Sequence, residues 1–157
     1  MSQTLEVKIR PATVDDMPEL LRQRRRMYED MGNRDANALT AMVAATAAFL
    51  PNAMADGLFH GWLAENQGRI VGGGAVIVTP WVAHPHDLAC RHATVLNVYT
   101  YAEFRRRGVA RSVMATILDW CRSQGLATAF LHASDEGRPL YESMGFHSSN
   151  EMKLLLR

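Results

Sequence analysis

The first thirty residues change from an alternating pattern to a helical one. Residues 5–10 (LEVKIR) alternate apolar and polar side chains, which predicts a strand with one buried face. Thr13 and Asp16 have the spacing of a capping box at the start of a helix. Apolar side chains then recur three or four residues apart until Gly32, where we expect this first helix to end.

A second helix and a hairpin are predicted next. The alanine-rich stretch 37–50 favours a helix, and we expect Pro51 to end it because proline disfavours the helical conformation of the preceding residue. Two apolar runs then flank Asn-Gln-Gly at 66–68, which is typical of a tight hairpin turn. Glycines 72–74 inside the second run predict a bulge or a close backbone approach, and the polar segment 81–92 predicts a loop.

The second half of the chain alternates strands and helices. Residues 93–101 (ATVLNVYTY) predict a buried central strand, and an apolar stripe over 109–124 predicts a long helix. A strand over 126–133, a short helix closed by Gly145, and a last strand over 151–157 follow. This order predicts an α/β fold, a mixed sheet with helices on its faces, in a single domain covering residues 1–157.

Composition limits the classes of function. The chain has 157 residues, 48% of them hydrophobic, and a formal net charge of +1, which argues against a nucleic-acid-binding protein. No 18 apolar residues run together and no apolar leader starts the chain, so we expect no membrane association and a cytoplasmic location. Two cysteines make no disulfide framework.

Three consecutive arginines precede a glycine where the long helix begins. Arg105–Arg107 and Gly108 lie between the central strand and the helix, at a place where free backbone N–H groups and the helix dipole already favour an anion. Arginine forks match phosphate oxygens, and glycine permits close approach of the backbone. The motifs of nucleotide P-loops and of dinucleotide-binding folds are absent from the sequence. A phosphate-binding loop of another kind is therefore predicted.

This segment resembles the pyrophosphate loop of the GNAT acetyltransferase superfamily, whose pattern is [RQ]xxGx[GA]. The chain reads Arg105-Arg106-Arg107-Gly108-Val109-Ala110, with LNVYT upstream at 96–100 and LYESMGF at 140–146, similar to the family's LYExxGF. The resemblance implies a central mixed sheet of about six to seven strands, splayed between strands 4 and 5 and flanked by about four helices. Ser134 stands where many members have an asparagine, and Thr94 near where some have a catalytic glutamate.

The resemblance implies an N-acetyltransferase that uses acetyl-CoA as co-substrate and a primary amine, on a small molecule or a protein, as acceptor. The amine would attack the thioester directly in a ternary complex. No metal and no nucleic-acid or membrane partner are expected. The residues that would bind the coenzyme are the end of the central strand, the loop and helix start, and one further position: Val98, Tyr99, Thr100, Arg105, Arg106, Arg107, Gly108, Val109, Ala110, Arg111 and Ser134.

Acyl transfer needs a neutral amine and a proton for the departing thiolate. By the resemblance, Tyr141 is the general acid. The general base stays open between His92, Asp87, Glu29 and a water molecule. The cysteines are not required as nucleophiles, because direct attack needs none.

Several alternatives stay open at this stage. The same fold could serve as an acyl-CoA sensor of little or no activity, since no base is assigned. The segment HPHDLACRH (84–92) has residue types that bind zinc, but its spacing fits no standard pattern, so we expect a loop. We interpret Arg22 and Arg24–Arg26 as a solvated helix face, with the alternative that some of them meet an acidic acceptor or a phosphate, because the family's first two helices often wall the acceptor site. We interpret Met27, Tyr28 and Met31 as core, and a role in the pocket stays open for them. Exposed sheet ends would permit a homodimer.

Overall fold

Five strands form one sheet in the computed structural model, which describes residues 3–157. The strands lie side by side in chain order: β1 (Lys8–Pro11), β2 (Phe59–Asn66), β3 (Arg69–Pro80), β4 (Arg91–Thr100) and β5 (Ala129–Leu131). Neighbours are antiparallel except for β4 and β5, which are parallel. The mixed α/β sheet is confirmed, with fewer strands in this part of the chain than the six to seven expected.

Four helices surround the sheet: α1 (Met17–Asp30), α2 (Ala36–Ala55), α3 (Val109–Ser123) and α4 (Arg138–Ser143). The predicted capping box is present, because Thr13 N–H donates to Asp16 Oδ2 (2.8 Å) just before α1. The hairpin is also confirmed, since Asn66 pairs with Arg69 across the turn.

Two predictions are wrong, and two predicted strands are shorter in the structure. Pro51 lies inside α2 rather than at its end, because Leu50 and Ala53 on either side of it are both buried and hold the last turn in the core. Residues 151–157 form no strand and are exposed along their whole length. The strand predicted over 126–133 is limited to β5. The first strand begins at Lys8 rather than at residue 5, and the N–H of Leu5 instead donates to the carbonyl of Arg107 (2.9 Å).

The core has two parts, one on each face of the sheet. On one face, the buried stripe of α3 (Val109, Val113, Met114, Ile117) packs against Val71, Val76 and Val95. On the other face, α1 and α2 contribute Leu20, Leu50 and Ala53, which pack against Phe59, Leu63 and Ala75. This second face is where α1 approaches β4, so the helices fix one wall of the space described below.

α2 is the one helix among the described residues with the length and apolar composition of a membrane span, and 17% of its span-length stretch is buried. Alanines make up much of this composition. Its apolar contacts with α1 and β2 place it in the fold, so length and composition by themselves carry no membrane assignment.

The two parallel strands separate after a short paired stretch. β4 and β5 pair only from Ala93–Ala129 to Val95–Leu131, although β4 continues to Thr100. The splay expected between the fourth and fifth strands is therefore confirmed. It leaves the second half of β4 open on the side of β5.

Candidate functional site

A cleft of about 1100 Å³ occupies the gap between the separating strands. Its walls come from the second half of β4, the residues after β5, the C-terminal part of α1, the start of α3, and α4. One cleft thus contacts both the N-terminus of α3 and side chains of α1.

Free amide groups line the cleft at the start of α3. Gly108 caps this helix with φ +83°, the left-handed conformation that favours glycine. The first backbone bond there runs from Ser112 N–H to Gly108 carbonyl (3.0 Å), so the amides of Val109, Ala110 and Arg111 have no acceptor within the helix. Gly108 and these three residues all line the cleft, and the helix dipole adds positive potential. This end of the cleft suits an anion.

The three loop arginines have different positions. Arg105 donates from Nε to the carbonyl of Thr100 (2.9 Å) and forms an ion pair with Asp30, so it ties the loop to β4 and α1. Arg106 lines the cleft with φ +61°. Arg107 is not among the cleft-lining residues, and its carbonyl accepts the bond from Leu5. Of the predicted arginines, the structure brings Arg105, Arg106 and Arg111 to the cleft.

A bulge exposes the edge of β4 to the cleft. Asn97 and Val98 together oppose Gly74 of β3, and Asn97 has φ +56°. Such bulges redirect a strand and often lie beside functional sites. Val98 of the bulge and the next two residues, Tyr99 and Thr100, all line the cleft. Thr100 Oγ1 is buried without a hydrogen-bond partner in the described chain, and burial raises the pKa of the Tyr99 phenol.

Tyr141 lies against the turn that starts α4. Ser134 Oγ accepts the N–H of Gly137 (3.1 Å), and a Cβ on Gly137 would lie 2.9 Å from Cε2 of Tyr141, so glycine lets the ring pack closely. The ring also makes an edge contact with Phe146, 6.0 Å between centroids. The Tyr141 hydroxyl has no hydrogen-bond partner within residues 3–157, and burial raises its pKa, which keeps it protonated at neutral pH. Ser134 and Tyr141 both line the cleft.

The wall of the cleft that α1 forms departs from the main sequence interpretation. Met27, Tyr28 and Met31, interpreted as core, line the cleft, and so does Arg24, interpreted as solvated. The pattern along α1 could not separate these roles, because a helix face that packs on a sheet and one that borders a cleft have the same spacing.

None of the three side chains considered as general base lines the cleft. His92 packs between Trp81 and Phe130, with centroids 4.9 and 4.1 Å away. Asp87 accepts a bond within its own loop, and Glu29 pairs with Arg25.

Other ionisable side chains do line the cleft. His132 follows β5, and Asp135 and Glu136 come shortly after it. Sequence analysis did not single them out, because their approach to the cleft depends on where β5 separates from β4.

No cluster of three or more potential metal-ligating side chains occurs among residues 3–157. His84 and His86 of the loop have ring centroids 5.6 Å apart, and both are exposed. The loop therefore offers no basis for a metal-site proposal.

Comparison with known proteins agrees with this geometry. The chain is similar to human N-acetyltransferase 8, with 26% identity over 93 residues that cover 57% of this chain. It is also similar to rat N-acetyltransferase family 8 member 3, with 33% identity over 94 residues. The matched region spans only 39% of the length of either relative.

Solved structures match over nearly the whole chain. A GCN5-related N-acetyltransferase from Ralstonia eutropha JMP134 is 32% identical, with a TM-score of 0.89 over 96% of this chain and 99% of that one. An acetyltransferase from Clostridium acetobutylicum, solved with acetyl-CoA, shares the fold at 22% identity, with a TM-score of 0.84 and 96% of each chain covered.

The family model for the acetyltransferase (GNAT) family matches residues 19–146. That range begins in α1, includes the bulged β4, the free amides of α3 and the splay of the sheet, and ends with the contact between Tyr141 and Phe146. The cleft and the sequence match thus coincide, and the chain belongs to the acetyltransferase (GNAT) family.

Proposed function

We propose that this protein transfers the acetyl group of acetyl-CoA to a primary amine by direct attack in a ternary complex. One observation carries the proposal: a single cleft connects free helix amides, suited to a diphosphate, with a splayed strand edge and an unpartnered phenol. Membership of the family supports acetyl transfer, and the Clostridium acetobutylicum structure was solved with acetyl-CoA.

The residues present fit coenzyme A. The amides of Val109–Arg111 would hold the diphosphate, with the side chains of Arg106 and Arg111 beside them. Along β4, the open edge at Val98–Thr100 would bond the pantetheine arm as an added strand does. Thr100 Oγ1, buried without a partner in the described chain, would find one there. When bound, the coenzyme supplies an acyl thioester.

Tyr141 is the residue that we propose as general acid. Tyr141 lines the cleft and its hydroxyl has no partner in the described chain, so we propose that it is available to protonate a departing sulfur. The raised pKa keeps the proton on the phenol near neutral pH but makes the transfer uphill, so positioning by Gly137 and Phe146 matters. For removal of the amine proton, we propose a water molecule or a cleft residue such as His132.

Binding and turnover test the proposal separately. Calorimetry should show binding of acetyl-CoA and of coenzyme A, and a thiol-release assay over a broad panel of amines should show turnover above background. Binding without turnover on any amine would indicate the sensor role instead. Failure to bind at millimolar concentration would contradict both. The named relatives are N-acetyltransferases, which favours turnover.

The role of Tyr141 has its own test. Tyr141→Phe should lower kcat about a hundredfold, within the usual range for a general acid, while the affinity for acetyl-CoA changes little. Tyr101→Phe is the matched control, because Tyr101 lies outside the cleft lining and donates to Glu19 (2.8 Å). Equal kcat values for the two variants would show that Tyr141 only packs.

A further inference from the structure

Arg24 places a positive charge in the cleft beside the β4 bulge. Its Nη1 donates to Asn97 Oδ1 (2.6 Å), and its guanidinium lies 5.3 Å from the centroid of Tyr28. Asn97 is two residues past Val95, the last residue of β4 that pairs with β5. The guanidinium therefore lies where the strands separate, on the wall formed by α1.

The charge of Arg24 has no carboxylate partner in the described chain, unlike that of its neighbours on α1. Arg22 pairs with Glu19 (2.9 Å), while Arg25 and Arg26 pair with Glu29 (2.9 and 3.9 Å). Within residues 3–157, the partners of Arg24 are an amide oxygen and an aromatic ring, and its Nε is buried without a hydrogen-bond partner. Arg24 is half-buried, and an anion beside it would compensate the part of its charge that is withdrawn from water.

The surroundings of Arg24 in the cleft indicate which kind of anion would compensate its charge. The amides at the start of α3 already suit the diphosphate. The guanidinium of Arg24 instead lies on α1 beside the β4 bulge, where the strands separate, and its planar fork suits a carboxylate. A carboxylate there would face the cation while the amine of the same molecule reaches toward the splayed strands.

We propose that Arg24 binds the carboxylate of the acceptor, and that the acceptor is a small amine that also carries a carboxyl group, such as an α-amino acid. The proposal rests on the acetyl-transfer function above and names its substrate class. Asn97 acts as a positioning residue, because its side chain holds one arm of the guanidinium and leaves the rest of the fork to the ligand.

Matched acceptor pairs test this directly. Each pair contains an amino acid and its decarboxylated amine or its carboxamide, assayed by thiol release at saturating acetyl-CoA. We expect kcat/KM to favour the acid at least tenfold in the pairs that react best. Equal rates within the reactive pairs would overturn the proposal but leave acetyl transfer intact, whereas no turnover with any amine would contradict the proposed function itself.

A variant series distinguishes binding of the carboxylate from support of the bulge. Arg24→Gln should raise KM for the acid at least tenfold and leave the decarboxylated partner within about threefold, with Arg24→Lys intermediate. Arg22→Gln is the control, since this exposed arginine does not line the cleft. A loss of kcat on both acceptors, together with weaker binding of acetyl-CoA, would show that Arg24 only shapes β4.

A separate observation concerns the C-terminal segment 151–157. Its apolar side chains are exposed: Met152 by 94%, Leu154 by 80%, Leu155 by 74% and Leu156 by 90%. Residues 152–157 make no hydrogen bond or ion pair within the described chain. Four large apolar side chains exposed to solvent within seven residues indicate a surface for interaction with another segment or molecule.

The sheet has a complementary unpaired edge. β5 is the last strand in the order and pairs on one side only, with β4, so its outer N–H and C=O groups lack strand partners. A row of rings, Trp81, His92 and Phe130, crosses β4 and ends at β5. Further apolar contacts beyond Phe130 would continue this row.

We propose that segment 151–157 of one molecule adds as a strand to β5 of a second copy, and that the exchange is reciprocal. Each chain supplies one segment and one strand edge. In a two-fold dimer, each of the two segments can therefore pair with the β5 edge of the other subunit. The segment is not paired with the β5 of its own subunit, whose outer edge has no strand partner in the described chain. This proposal does not depend on the acetyl-transfer function.

Light scattering after size exclusion tests the exchange. The full chain should be a dimer at micromolar concentration, and both Leu156→Asp and deletion of 151–157 should give a monomer with unchanged circular dichroism. Val14→Asp, at another exposed apolar residue, should stay dimeric. A monomeric full chain, or a dimer that survives both changes, would overturn the proposal. So would a monomer whose segment 151–157 resists hydrogen exchange, because the segment would then have folded onto its own β5.

Discussion

Gly72→Ala should destabilise the protein strongly, because β4 runs too close to β3 at this position. Gly72 pairs with Thr100, and an added Cβ would lie 2.5 Å from the carbonyl oxygen of Tyr99 and 3.3 Å from Cα of Thr100. A third contact, 3.2 Å, is to the side chain of Val109 at the start of α3. Two of the three obstacles are backbone atoms of a central strand, so rotation of a side chain cannot relieve them.

The magnitude follows from this geometry. Overpacking a core costs about 1–3 kcal/mol, and a clash with ladder backbone belongs at the upper end. For a domain of this size, about 3 kcal/mol lowers Tm by about 6–12 °C. The strand displaced is the one that carries Tyr99 and Thr100 along the cleft, so the affinity for acetyl-CoA should also fall.

Urea unfolding followed by circular dichroism measures the loss of stability, and calorimetry measures the affinity. Gly61→Ala is the matched control, because a Cβ there meets only side-chain atoms, at 3.2 Å or more, and the cost should stay near 1 kcal/mol. If Gly72→Ala is as stable as Gly61→Ala, β4 is not held against β3 as described.

Three further predictions concern charge, reactivity and packing. The hydrogen bond from Arg10 lowers the pKa of Asp16 from 3.8 to about 2. The contribution of Asp16 to stability is therefore present above pH 4 and is lost as pH falls toward 2. Asp16→Asn should flatten this part of an acid-unfolding curve. Cys90 is exposed, whereas burial raises the pKa of the Cys121 thiol, so a thiol reagent should label Cys90 in the native protein and Cys121 only after unfolding. Ile117→Ala, at a fully buried position of α3, should cost about 2–5 kcal/mol in a urea titration.

Local sequence signals predicted most of the fold. The capping box before α1, the hairpin turn and the apolar stripe of α3 each depend on residues close together in the chain, and the structure has all three. Pro51 could not be placed this way, because the burial of Leu50 and Ala53 decides where α2 ends. Segment 151–157 has the composition of a strand but pairs with no strand of its own described chain.

The candidate site, like the fold, was predictable only where its residues lie close together in the sequence. The loop and the start of α3 could be placed together from the sequence, because they form one continuous stretch, and both contribute to the cleft lining. The contact of α1 with β4 could not be predicted, because it forms only in three dimensions: Arg24 and Asn97 are 73 residues apart. Neither residue alone has a spacing that marks it as functional.

The ion pair of Arg105 with Asp30 alters what salt should do to this protein. Three consecutive arginines would be expected to direct three positive charges at phosphates. However, Asp30 neutralises Arg105, and Arg107 does not line the cleft. Much of the attraction for a diphosphate would then come from short-range amide hydrogen bonds, which ionic strength screens weakly. Coenzyme affinity should therefore decline only gently from dilute buffer to concentrated sodium chloride.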